Sequence, residues 1–231
     1  MAIFSATSTP PRLTLKVLAH LLRYPDATLR AHLGELRVAL REEAALPAAR
    51  LAELDALLER LAALPGLTVE ADYVELFDRG RGTALHLFEH VHGDSRDRGP
   101  AMVDLIQTYE KAGLYFAADE LPDYLPVLLE FASSQPPREA RAFLGEFAHI
   151  VRVIFSALQK RQSPYASVAA AVLEIAGEKV EAVAVAAEVP VDESWHEPAV
   201  FGGCSTEGQQ RPDQAQPLRF VKSASIPGAR A

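Results

Sequence analysis

Two histidines four residues apart are the first feature with the residue types for catalysis. His86-Leu87-Phe88-Glu89-His90 fits the H-x-x-E-H pattern of one class of zinc peptidases. On a continuous helix the two rings would share a face and could ligate one zinc ion, with Glu89 as base. Gly93 ends the segment almost at once, and so short a pattern recurs by chance in helical chains; burial of Leu87 and Phe88 with the histidines at a rim accounts for it with fewer requirements. The polar run from Gly93 to Pro100 brings Arg96 and Arg98 ahead of a helix, where free backbone N–H groups could help hold an anion. Asp94 and Asp97 beside them favour an ion-paired connector, in which the arginines act on structure. Arg79-Gly80-Arg81-Gly82 reads as a helix stop. The chain has neither a G-x-x-x-x-G-K-S/T loop nor a G-x-G-x-x-G turn between strand and helix, and its single cysteine, Cys204, has no neighbouring histidine to activate it. In Glu120-Leu121-Pro122-Asp123-Tyr124-Leu125-Pro126, two prolines and two acids enclose aromatic and aliphatic side chains at a helix entrance. Such a segment is either a rigid wall edged by carboxylates or a loop whose Asp123 caps the next helix.

The elements that carry these residues are helices. Leu15, Leu18, Leu21 and Leu22 form a stripe that stops at Tyr24-Pro25, since a residue before proline avoids helical backbone angles. Asp26 can cap a second helix with Leu29, Leu33, Leu36 and Leu40, and Pro47 opens a third with Leu51, Leu54, Leu58 and Leu61. Further stretches run through Tyr73, Val74 and Phe77; from Ala84 to Val91; and from Met102 to Tyr109, which Gly113 stops. A helix starting at Pro122 carries Leu128 and Leu129. Beyond Pro136-Pro137 comes the strongest stripe, from Phe143 to Leu158, and Ser163-Pro164 starts a last helix with Val168, Val172 and Ile175. The Ala/Val-rich stretch from Val180 to Val189 reads as a helix end. No strand pattern is visible. The prediction is an all-α fold: a single helical domain of about eight to nine helices over residues 1–188, with a disordered Pro/Gly/Gln-rich tail over 189–231 in which Trp195 and Phe201 are candidate anchors.

Composition narrows the function. With 231 residues, 49% hydrophobic and 23% charged, the chain can bury a sizeable core in one domain. A net charge of −8 argues against nucleic acid as a partner and for a basic one. One cysteine permits no internal disulfide and fits a reducing compartment. The sequence shows no secretory leader and no stretch recognised as a membrane span, so the expected location is cytoplasmic, without direct membrane insertion.

The succession from Leu87 to Leu105, with Phe88, Glu89, His90, Arg96, Arg98 and Met102, then Glu120 to Pro126 and Leu129-Glu130-Phe131, resembles the nitrate reductase delta subunit (NarJ) family of molybdenum cofactor assembly chaperones. Leu18, Leu21, Leu22, Tyr24 and Pro25 support the likeness at the start, and Glu193-Ser194-Trp195 with Glu197 to Cys204 near the end; the stretch beyond Cys204 matches no family pattern. The resemblance implies a cytoplasmic, non-enzymatic, all-helical chaperone. Its partner would be the apo catalytic (alpha) subunit of respiratory nitrate reductase, held chiefly by the N-terminal segment, with cofactor-delivery proteins as further partners. It would keep that subunit competent for insertion of the molybdenum–guanine-dinucleotide cofactor and an iron–sulfur cluster while binding no cofactor stably itself. The expected peptide site pairs Glu120, Asp123 and Glu130 with basic groups of the client and uses Pro122, Tyr124, Leu125 and Leu129 as wall. Two alternatives stay open, a generic helical peptide-binding adaptor and a zinc-dependent hydrolase using His86, Glu89 and His90.

Overall fold

Leucine repeats punctuated by proline and glycine give ten α-helices among the residues that the computed structural model of the protein describes, 11–93, 95–115 and 120–184. Helix α1 (Arg12–Leu21) buries Leu15, Leu18 and Leu21 and ends before Pro25. Asp26 caps α2 (Ala27–Ala31), accepting the Leu29 N–H at 2.7 Å. The leucine repeat beyond it is one helix by periodicity but two in fact. At His32 the backbone leaves the helical region (φ −99°, ψ 4°) and the ring bonds the Thr28 carbonyl at 2.7 Å, so α3 (Leu33–Glu43) starts afresh. That break is why the count exceeds eight to nine. Helix α4 (Ala48–Ala63) follows Pro47, and α5 (Gly66–Tyr73) follows Pro65. It continues into a π turn, Val74–Asp78. Gly80 follows, where any Cβ would collide with Thr83 Oγ1 and the Leu76 carbonyl. After a 3₁₀ turn come α6 (Leu87–Val91), α7 (Arg98–Lys111), α8 (Leu125–Ser134), α9 (Pro137–Lys160) and α10 (Ala166–Ala176).

Helices α9 and α10 pack as an antiparallel hairpin, α1 lies along α8, and α8 also touches α9. A second hairpin, α3 and α4, closes the core by packing α3 on α1 and α4 on α10. The centre is aliphatic: Leu15, Leu18, Leu22, Leu125, Leu128, Leu129, Ile154, Leu158, Val168 and Val172 are each at most 1% exposed. Around α7 the core turns aromatic, with Tyr109, Phe131 and Phe143 packed in tilted and edge-on pairs at centroid distances of 4.7 to 6.5 Å.

Three expectations are corrected. Helix α9 has 24 residues and a mean hydropathy of 1.3 over its most apolar 18-residue window, long and apolar enough to cross a membrane by length and composition. It is nonetheless a core helix, since half of that window is buried in the protein. Helix α8 begins at Leu125 and not at Pro122, because Pro122 to Tyr124 are engaged elsewhere. The described part of the Ala/Val-rich stretch, 180–184, is not helical: α10 stops at Gly177 (φ +78°), and Val183 N–H donates to Ser156 Oγ on α9 at 2.9 Å. The readings placed on Asp94, Trp195, Phe201, Cys204 and residues 189–231 fall outside the described residues.

Candidate functional site

The two motif-bearing segments meet in a main-chain clasp. Leu87 N–H donates to the Asp123 carbonyl at 3.0 Å and Leu125 N–H to the Leu85 carbonyl at 2.9 Å, which places His86 opposite Tyr124 in an antiparallel bridge. The His86 ring stacks on Tyr124, centroids 5.1 Å apart at 29°. Asp123 is fully buried, and its Oδ2 accepts the Phe88 N–H at 2.9 Å. It therefore caps a helix, but α6 across the clasp and not its own. Arg98, the first residue of α7, brings a guanidinium nitrogen 3.5 Å from Glu89 Oε1 and 4.0 Å from Asp123 Oδ2. Opposite, His86 Nδ1 and Asp123 Oδ1 lie 3.6 Å apart, both buried and without a hydrogen bond. His90 Nε2 sits 2.8 Å from the Ala84 carbonyl, and Tyr109 hydroxyl donates to the Pro122 carbonyl at 2.8 Å. Asp123, His90 and Tyr109 thus shape backbone, each meeting a main-chain group at a turn or a helix end.

That geometry removes the premise of the zinc reading. His86 precedes α6 in extended backbone (φ −85°, ψ 104°), so His86 and His90 do not share a helical face. Among the described residues no group of three or more His, Cys, Asp or Glu side chains is placed to hold a metal ion. Arg98 pairs with carboxylates other than the Asp97 expected beside it, namely Glu89 and Asp123; Arg96 is exposed and has no carboxylate pair among the described residues. Met102 is half-buried against the core.

Two phenols anchor the clasp to α1. Tyr73 hydroxyl donates to the Leu22 carbonyl at 2.7 Å and Tyr124 hydroxyl reaches the same oxygen at 3.3 Å, the two hydroxyls being 3.4 Å apart. Burial pushes both phenols above their ordinary range, so they remain protonated donors.

Open space flanks the clasp on both sides. A cavity of about 680 Å³ lies between α1, the end of α7 and α8, lined by Lys16, His20, Arg23, Tyr109, Leu114, Tyr115, Glu120, Val127, Glu130 and Phe131, among others. A second, of about 350 Å³, is lined by Tyr73, Phe77, Asp78, Leu85, His86, Leu121 and Tyr124, and Glu120 belongs to both. Sharing Glu120, the two cavities are neighbours, and they are taken together as one trough with that acidic residue at its waist. Of the expected peptide site, Glu120, Tyr124 and Glu130 do line this trough. Pro122, Asp123, Leu125 and Leu129 do not, since all four are buried in the clasp or the core. Leu125 and Leu129 belong to the inward stripe of α8 with Leu128 and Ala132. The apolar lining comes instead from Val127 and Phe131, which the sequence reading missed. Their signal is the spacing of Val127, Glu130, Phe131 and Ser134 along a second face of the same helix.

The described residues thus form an all-helical domain with an open trough of mixed polar and apolar lining beside the clasp. The chain belongs to the nitrate reductase delta subunit family, whose model matches residues 25–171. It is similar to the nitrate reductase molybdenum cofactor assembly chaperone NarJ of Escherichia coli strain K12, 42% identical over 175 residues, covering 76% of this chain and 74% of that one. The probable chaperone of the same description, NarW, of that strain is 38% identical over 179 residues, 78% and 74% of the two chains. The probable NarJ of Bacillus subtilis strain 168 is 34% identical over 160 residues, 69% and 85%. The fold is shared with a crystal structure of a "putative redox enzyme maturation protein" from Archaeoglobus fulgidus, at a TM-score of 0.52 and 21% identity, covering 77% of this chain and all of that one.

Proposed function

We propose that this protein is a cytoplasmic assembly chaperone that binds the apo catalytic subunit of a respiratory nitrate reductase through its N-terminal segment. It keeps that subunit competent for insertion of the molybdenum–guanine-dinucleotide cofactor and an iron–sulfur cluster, holds no cofactor stably itself and performs no chemistry of its own. The family and its named relatives support the client class. The single observation that carries the peptide site is the trough, where Val127, Phe131, Leu114 and Tyr115 offer apolar surface beside Glu120 and Glu130. An amphipathic, basic helix suits such a lining: its apolar face contributes most of the affinity, and the solvent-screened carboxylates fix its register.

Calorimetric titration with a synthetic peptide spanning the N-terminal segment of the catalytic subunit tests this. Saturable one-to-one binding with a negative heat-capacity change is expected. Val127→Asp puts a charge on a half-buried wall position and should weaken binding at least about tenfold, the factor that 1.4 kcal/mol represents. Full affinity in a folded Val127→Asp variant would move the site elsewhere.

A further inference from the structure

The two carboxylates at the waist of the trough already hold a cation, and it is this chain's own. Arg23, two residues beyond α1, brings Nη2 within 3.0 Å of Glu130 Oε1 on α8 and 3.7 Å of Glu120 Oε2 ahead of the clasp. We infer that Arg23 is an internal stand-in for the client: it occupies the cation site that a lysine or arginine of the basic peptide takes over on binding. This rests on the trough being the peptide site.

Three features mark the arginine as displaceable and not as a structural tie. First, the three side chains are between 36% and 42% exposed, so the pairs sit in screened surroundings where each is weak. Second, the guanidinium is only partly used. Its Nε is buried without a hydrogen-bond partner, so the two-pronged pairing that arginine can make with a carboxylate is not formed through it. Third, the elements it bridges do not depend on it: α1 and α8 meet through Leu15, Leu18, Leu22, Leu125, Leu128 and Leu129, each at most 1% exposed. Its position matters more than its strength. Arg23, Glu120 and Glu130 all line the larger cavity, and Glu120 also lines the smaller one, so the ion triad sits at the residue the two cavities share. Lys16 and His20 on α1 line the same wall. With Arg23 in place one guanidinium faces two carboxylates, so the triad keeps a single net negative charge; once Arg23 swings out, both carboxylates face the client.

An occupied site has a signature that an empty acidic site lacks. When the peptide binds the unmodified protein, one ion pair replaces another, so added salt screens what is lost as much as what is gained. In Arg23→Gln the peptide's cation makes a net new pair. Calorimetry with the N-terminal peptide and with a copy whose lysines and arginines are glutamine, each at low and high salt, separates the cases. Arg23→Gln should bind the basic peptide about fivefold tighter at low salt, with a steeper loss on adding salt, and bind the neutral copy as the unmodified protein does. Arg23→Lys, which keeps a competitor in place, should behave like the unmodified protein. The Glu120→Gln, Glu130→Gln pair frees Arg23 from the other side and should bind both peptides equally, which keeps the test decisive should Arg23→Gln fold poorly. Weaker or unchanged binding of the basic peptide by a folded Arg23→Gln variant, or continued preference for the basic peptide in the double glutamine variant, overturns the stand-in role. If Val127→Asp leaves peptide affinity untouched, the trough itself is the wrong site; if Val127→Asp abolishes binding and Arg23→Gln changes nothing, the role of Arg23 alone fails.

Discussion

Asp123 shows what one buried carboxylate can organise. It ties the start of α6 to the segment ahead of α8 and stands beside Arg98 and His86. Asp123→Ala would leave the Phe88 N–H buried without an acceptor and the clasp without its charge partner, a loss of about 2–4 kcal/mol. Asp123→Asn keeps an oxygen for Phe88 and should cost less; urea denaturation of the two variants tests the ordering. The phenols give a second prediction at this scale. Burial holds Tyr73, Tyr109 and Tyr165 well above the ordinary phenol value near 10. A group whose folded pKa is raised contributes stability that is complete below the unfolded value and is lost as pH climbs beyond it. The melting temperature should therefore be insensitive to these groups up to about pH 10 and fall above it, with phenolate absorbance appearing together with unfolding. Phenolate from these three residues near pH 10 in the folded protein would contradict the burial argument.

At the scale of elements, the order and type of the helices were legible because proline, glycine and leucine spacing are local signals. Asp26 as a cap, Pro47 as a start and Gly113 as a stop all act within a turn of where they stand. The His32 break was not legible, since it depends on a ring bonding its own preceding turn while the leucine spacing runs on unbroken. The clasp was hidden for a different reason. It is made of main-chain pairs, and the acid that completes it reaches a backbone N–H thirty-five residues away, so no residue type at either end announces the partner. The same argument explains why only part of the expected peptide site lines the open cavities: charge and aromatic character were readable at Glu120, Tyr124 and Glu130, but which stripe of α8 faces inward is decided by tertiary packing. Two variants test these elements. Leu128→Ala, at the fully buried contact of α8 with α1, should cost about 2–5 kcal/mol by leaving a cavity. Gly177→Ala should destabilise the α9–α10 hairpin, because Gly177 has a φ of +78° and an added Cβ would collide with the Arg141 guanidinium, whose Nε holds the Ala176 carbonyl at 3.2 Å. Arginine can swing away, so the lasting penalty is the left-handed backbone, about 1 kcal/mol, measurable as a lowered melting temperature.

For the molecule as a whole, the clasp has a consequence for how the protein breathes. The chain leaves the central helices at Leu87 and returns at Asp123, and those two residues are hydrogen-bonded to each other. All of α7 is thus a loop closed at its base, fixed to the rest chiefly by Leu105 and Tyr109. Such an excursion can detach as a cooperative unit while the helices behind it stay folded, since its opening breaks no backbone bond of the base and its apolar attachment is confined to a few side chains, chiefly Leu105 and Tyr109. Native-state hydrogen exchange should find the α7 amides sharing one opening free energy, well below that of α9 and α10, while Leu87 and Leu125 N–H exchange with the slow core. Tyr109, Leu114 and Tyr115 ride on the end of that unit and form one bank of the trough. The width of the trough is then set by a low-lying excited state of the free protein, and if the proposed client packs against this bank it should draw those amides toward the slow class.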